Sequence, residues 1–192
     1  QAGCRNYRCP KDCLADISAE RALHAFRELA DDLFPDASIK LSGEGKLRVW
    51  GVGNVLLGDD AVGCKVAELL SERGMPGVVV CGTTPENYVA TLRKAPPDTL
   101  LIVDAAHMGL APGECRRFSV GELDAVMDSS HGIPLSVLLG PFIDSIEIVV
   151  LGIQPSTPRL GAPLSEVVEE AALRVADLIP RNEWRNVESL SI

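Results

Sequence analysis

Short apolar runs alternating with stretches of helical periodicity constrain this chain more than any other feature of it. Residues 47–53, 78–81, 99–104 and 146–152 are dense in Val, Leu and Ile, and each is too short for an ordinary helix. Between them, residues 60–73 carry Val62, Val66, Leu69 and Leu70 at helical spacing, and residues 86–95 suit a second helix. Residues 135–142 read as a short helix. Residues 164–179 form an amphipathic one, with Val168, Ala171, Val175 and Leu178 on one face, Pro163 at its start and Pro180 at its end. Segment 114–120 mixes Arg116 and Arg117 with apolar residues, as an edge strand does. Strands that are apolar on both faces must be covered on both. The expected fold class is therefore α/β, a three-layer sandwich with a mostly parallel twisted sheet and helices on both faces.

The 192 residues suit one such domain, spanning 46–180, with a tail at 181–192. Ahead of it lies a segment, 1–45, of different character. It is polar and irregular to about Asp16, then helix-like over 17–34, with Ser18 as N-cap and Ala22, Phe26, Leu29 and Leu33 at helical spacing. Aromatics are only 4% of the chain, so aliphatic side chains must fill the core. A net charge of −9 offers no Lys/Arg stripe for a phosphate backbone, so no nucleic-acid partner is expected. No apolar run is long enough to span a membrane, no charged-then-apolar leader opens the chain, and a cytoplasmic monomer is expected.

The cysteines do not read as a disulfide framework. Cys4, Cys9 and Cys13 crowd the first segment, while Cys64, Cys81 and Cys115 lie singly. The first three lack the paired spacing of common zinc sites, and are expected to be thiols of an accessory segment.

In open α/β sheets the ligand site lies beyond the carboxyl ends of the strands. Polar residues reach that rim from three places. The first strand runs into Gly51-Val52-Gly53-Asn54-Val55-Leu56-Leu57-Gly58-Asp59-Asp60, the third ends at Asp104, and His131 follows Ser129-Ser130 ahead of a short helix. Two carboxylates and an imidazole suit a borderline divalent ion such as nickel or zinc. Each residue also has a plain structural reading: Asp60 capping a helix, Asp104 bonding turn amides, His131 bonding a backbone group. A dinucleotide fingerprint would need glycine three positions after Gly53, where Leu56 stands, and no Walker lysine follows the glycines.

The run G-V-G-N-V-L-L-G-D-D-A-V-G (51–63) resembles the opening signature of the nickel–iron hydrogenase maturation endopeptidases. L-I-V-D-A-A-H-M-G-L-A-P-G-E (101–114), S-H-G-I-P-L (130–135) and L-G-I-Q-P (151–155) are similar to later blocks of that family, in the same order. G-T-T-P-E-N (82–87) resembles the branch serving formate-linked and related multisubunit hydrogenases. The resemblance implies an endopeptidase that removes the C-terminal extension of a hydrogenase large-subunit precursor after nickel insertion. It also implies that Asp60, Asp104 and His131, as ligands and catalytic residues, read nickel carried by that precursor, with no organic cofactor. Asp59 is the weaker candidate, since adjacent residues on a helix point different ways. His107 stands where an acidic residue is common in that branch, and is expected at the surface. Cys64 is expected to be a buried structural thiol.

No Gly-x-Ser-x-Gly elbow and no Cys–His motif is present, which fits a peptidase whose metal arrives with its substrate. Two other classes remain open at this point. One is a nickel-binding scaffold of hydrogenase assembly without proteolysis, and the other a nucleotide-binding module.

Overall fold

The computed structural model describes residues 47–122, 134–156 and 159–190. The expected helix at 17–34, Cys4, Cys9, Cys13 and His131 lie outside the described residues. Strand β1 is Leu47–Val52, followed by a 3-10 helix Gly58–Ala61 and helix α1, Val62–Glu72. Then come β2 (Val78–Gly82), α2 (Val89–Lys94), β3 (Thr99–Ala105) and β4 (Cys115–Ser119). Helix α3 (Leu135–Leu139), β5 (Glu147–Ile153) and α4 (Glu166–Leu178) complete the main elements.

The strands form one sheet in the order β2-β1-β3-β5-β4. β1 pairs in parallel with β2 and β3, β3 in parallel with β5, and only β4 runs antiparallel, against β5. This is the mostly parallel sheet expected from the apolar runs, with the Arg-bearing strand at its edge. The outer side of that edge is not left open. Arg117 N–H donates to the Glu188 carbonyl (2.9 Å), and Leu190 N–H to the Arg117 carbonyl (2.9 Å), so the C-terminal tail lies along β4.

Strand alternation sorts the core into two layers. Val49, Leu101, Val103, Leu151 and Ile153 face Val62, Val66 and Leu70 of α1 and Val168, Ala171, Ala172 and Val175 of α4. The alternate residues Arg48 and Trp50 meet the other layer. Buried Arg48 donates to Thr91 Oγ1 and to the Ala95 carbonyl (both 3.1 Å), and Trp50 lies 6.3 Å from the Tyr88 ring. The β1-to-β2 and β2-to-β3 crossovers therefore cover opposite faces, because the chain reverses direction across the sheet while each crossover keeps its hand. Among the described residues no helix is long and apolar enough to cross a membrane.

Boundaries differ from the sequence reading at all four helices, with residues 85–88 winding as a 3-10 helix before α2 and 140–142 as one after α3. Residues 58–61 wind as a 3-10 helix before α1, and α4 starts at Glu166 rather than beside Pro163.

Candidate active site

The strand order turns at β1. The chain leaves β1 towards β2 on one side and returns to β3 on the other, so the carboxyl ends of β1 and β3 flank the switch point. Asp60 follows β1 and Asp104 lies at the end of β3, one on each flank.

Glycines bring the two flanks together. A Cβ on Gly63 would run into the carbonyl oxygens of Val52 and Val103, and one on Gly51 into Gly63 and Ala67. The first turn of α1 is thus pressed against the ends of both strands at a distance no side chain permits. Gly53 has φ +141°, and a Cβ there would strike the carbonyl of Asp60.

Asp60 is half-buried, and its Oδ2 accepts the Asn54 N–H at 3.0 Å. It is not a helix cap, for α1 begins two residues later without side-chain capping. The bond instead closes the turn after β1, leaving Oδ1 of Asp60 for other partners. Asp104 is buried, and its Oδ1 accepts the N–H of Ala105 at 2.8 Å, the turn-amide bond that was its structural reading.

Cys64 reports on the field between them. Its thiol is pushed up to about 11, first by burial, with the charges of Asp104, Glu68 and Asp60 adding to the rise against a Gly82 backbone bond that lowers it. The Sγ lies 3.4 Å from the Gly53 carbonyl oxygen and 3.8 Å from that of Gly51, so the S–H points into the backbone. A thiol so held stays protonated near neutrality and is no nucleophile. Cys81 and Cys115 are likewise raised by burial, Cys115 to about 12.

Asp59 behaves as the neighbour of a site residue. It is 2% exposed; its Oδ1 accepts Ser165 N–H (2.6 Å), and its Oδ2 accepts Ser156 N–H (2.9 Å) and Ser165 Oγ–H (3.0 Å). One carboxylate thus ties the turn after β1 to the segment joining β5 and α4. Ser165, drawn to Asp59, does not cap α4 with its side chain.

Gln154 does a similar service for the Asp104 flank. Its Oε1 accepts the N–H groups of Met108 (2.7 Å) and Leu110 (3.2 Å), and its own N–H donates to the Glu114 carbonyl (2.8 Å). The loop following Asp104 is therefore latched to the end of β5. Neither role was readable from the residues alone, although Gln154 sits within the block L-G-I-Q-P. His107, on that loop, is exposed as expected.

Among the described residues, no group of three His, Cys, Asp or Glu is assembled to hold a metal ion. Of the two carboxylates flanking the described switch point Asp60 is half-buried and Asp104 is 1% exposed, and His131 lies outside the described residues. A nucleotide fits this turn poorly. The Asn54 amide that a phosphate would approach already donates to a carboxylate, and Asp59 and Asp60 would repel the anion.

The chain is similar to a family of known sequence and structure. The family model described as hydrogenase maturation protease matches residues 64–182. The Hydrogenase 3 maturation protease of Escherichia coli (strain K12) is 36% identical over 124 residues, 62% of this chain and 80% of that protein. A putative hydrogenase maturation protease of Methanocaldococcus jannaschii is 34% identical over 143 residues, 68% of this chain and 83% of the relative. The crystal structure of the nickel–iron hydrogenase maturation protease HycI from Thermococcus kodakarensis KOD1 superposes with a TM-score of 0.66 at 32% identity, covering 81% of this chain and 99% of that one. With the motif blocks in order, the sheet topology shared and the family model spanning most of the described domain, the chain belongs to the hydrogenase maturation protease family.

Proposed function

We propose that this endopeptidase removes the C-terminal extension of a nickel–iron hydrogenase large-subunit precursor once nickel is in place. Asp60, Asp104 and His131 read that nickel as part of the substrate. The observation that carries this reading is the placement of Asp60 and Asp104 on the two flanks of one switch point, after the paired strand β1 and at the end of β3. Two carboxylates and an imidazole leave coordination positions open for groups of the precursor itself, and the ion supplies Lewis-acid chemistry at the bond to be cut. The protein needs no organic cofactor and works as a monomer in the cytoplasm. The unpaired thiols of Cys64, Cys81 and Cys115 suit that reducing compartment.

The test is incubation of the purified, metal-free protein with nickel-loaded and nickel-free precursor, followed by intact mass measurement. Loss of the C-terminal peptide from the loaded precursor alone is expected. A protein that binds nickel tightly by itself and leaves both precursors intact is a scaffold, and the proposal falls.

A further inference from the structure

Large apolar side chains stand in solvent beside Asp60. Val55 and Leu56, on the turn between β1 and the 3-10 helix, are 61% and 62% exposed, and Leu160 is 78% exposed. Leu160 belongs to the same surface, because the N–H of Gly161 donates to the Leu56 carbonyl at 2.8 Å. The turn cannot fold these side chains inward. Asn54 N–H donates to Asp60 Oδ2, Leu56 N–H to Asn54 Oδ1, and Leu57 N–H to the Asn54 carbonyl, each at 3.0 Å. A turn pinned in this way holds Val55 and Leu56 in water, where apolar surface is costly and commonly marks an interaction site.

We infer that Val55, Leu56 and Leu160 form a docking rim for the protein substrate, receiving apolar side chains that flank the bond to be cut. The inference rests on the reading of Asp60 as part of the peptidase site. Continuity argues for this occupant. Asn54, next to Val55 in the chain, donates its N–H to the Asp60 carboxylate, so the rim adjoins that group. The rim's three side chains are apolar, with Asp60 and Arg159 beside them, and the chain's net charge of −9 gives little to draw a polyanion there. Contacts remote from the reacting bond supply binding energy to a protease without touching its chemistry, so their removal acts on KM rather than kcat.

The test compares the wild type with the triple variant Val55→Ser, Leu56→Ser, Leu160→Ser. Cleavage of nickel-loaded precursor is followed by mass, and binding is titrated separately, before appreciable cleavage, with Asp104→Asn added to both chains to slow turnover equally. Kd and KM are expected to rise about tenfold or more, as loss of one or two buried aliphatic contacts requires, with kcat little changed. The melting temperature should not fall, because the three side chains are already in solvent. An unchanged Kd overturns the rim while wild-type cleavage preserves the peptidase reading. A wild type that neither binds nor cuts the precursor overturns both. Self-association by sedimentation that disappears in the triple variant, with precursor binding intact, would give the surface to a second copy of the chain and overturn the proposal.

Discussion

Ser165 donates twice to Asp59, through its backbone N–H at 2.6 Å and its hydroxyl at 3.0 Å, across 106 positions of sequence. This clamp explains why two adjacent aspartates have different fates. Asp59 is consumed by backbone and hydroxyl donors in the interior, and Asp60 is left half-exposed at the rim.

Asp59→Ala should therefore be a stability variant. It removes an almost fully buried acceptor and leaves the amides of Ser156 and Ser165 without their partner, at a cost of about 2–4 kcal/mol. Urea denaturation is the measurement. Asp60→Ala, which loses one bond at the rim, should cost about 1 kcal/mol or less by the same method. Equal losses in the two variants would refute the division of labour.

Much of the fold was legible because its strands are buried on both faces, and the runs at 47–53, 78–81, 99–104 and 146–152 each become a strand within a residue or two. The edge position of β4 followed from Arg116 and Arg117. The start of the helix after β1 was not legible, because residues 58–61 wind as a 3-10 helix with Gly58 at φ +58° and Asp59 bonded to Ser156 and Ser165 far along the chain. Ser165 likewise gave no sign that its hydroxyl would serve Asp59 rather than α4. Such contacts join residues about a hundred positions apart, and no local pattern encodes them. Asp60 and Asp104 were identified by motif blocks, and the pairing of β1 with β3 accounts for their lying at the ends of neighbouring strands.

Cys64 should be dispensable for cleavage. Its thiol, raised to about 11 by burial and neighbouring carboxylates, is neutral at pH 8 and donates into the backbone. Cys64→Ala is expected to cut precursor at nearly the wild-type rate, with about 1 kcal/mol of stability lost to the small cavity. Native protein should also resist alkylation at this residue, read by peptide mass. Abolished cleavage in a folded Cys64→Ala chain would point to a cysteine mechanism.

Acid should weaken the domain partly through Glu147. Arg185 bonds both its oxygens (2.9 and 2.8 Å) and Thr99 bonds one (2.7 Å), which holds the carboxyl down to about 2 from the usual 4.5. A depressed carboxyl stabilises the fold above its unfolded value, and that contribution is lost as pH falls from about 4.5 towards 2. The pair is nearly half exposed, so screening limits the effect to about 1 kcal/mol or less. Glu147→Gln should lower stability at pH 7 by that amount and flatten the acid limb of a stability–pH curve. Half-molar salt should narrow the difference between the two proteins. Parallel curves for both would mean that the ion pair contributes nothing.

The sharpest expectation separates a peptidase that reads its substrate's nickel from an ordinary one. Asp104→Asn keeps an oxygen to accept the Ala105 N–H and nearly the same side-chain volume while removing the negative charge. Asp60→Asn does the same while retaining an acceptor for Asn54. Both chains should fold, as circular dichroism and melting would confirm, yet cut nickel-loaded precursor at least 10–100-fold more slowly, the loss typical even of residues that only support a metal ligand. His131→Ala should be impaired to a similar degree. Asp60→Glu should be milder, because it restores the charge with a longer reach. Wild-type protein, metal-free at the start, should leave nickel-free precursor whole. Full activity of folded His131→Ala, or efficient cutting of nickel-free precursor, would show that the carboxylates at the switch point act without the substrate's metal, and a carboxylate-activated water would then be the mechanism to pursue.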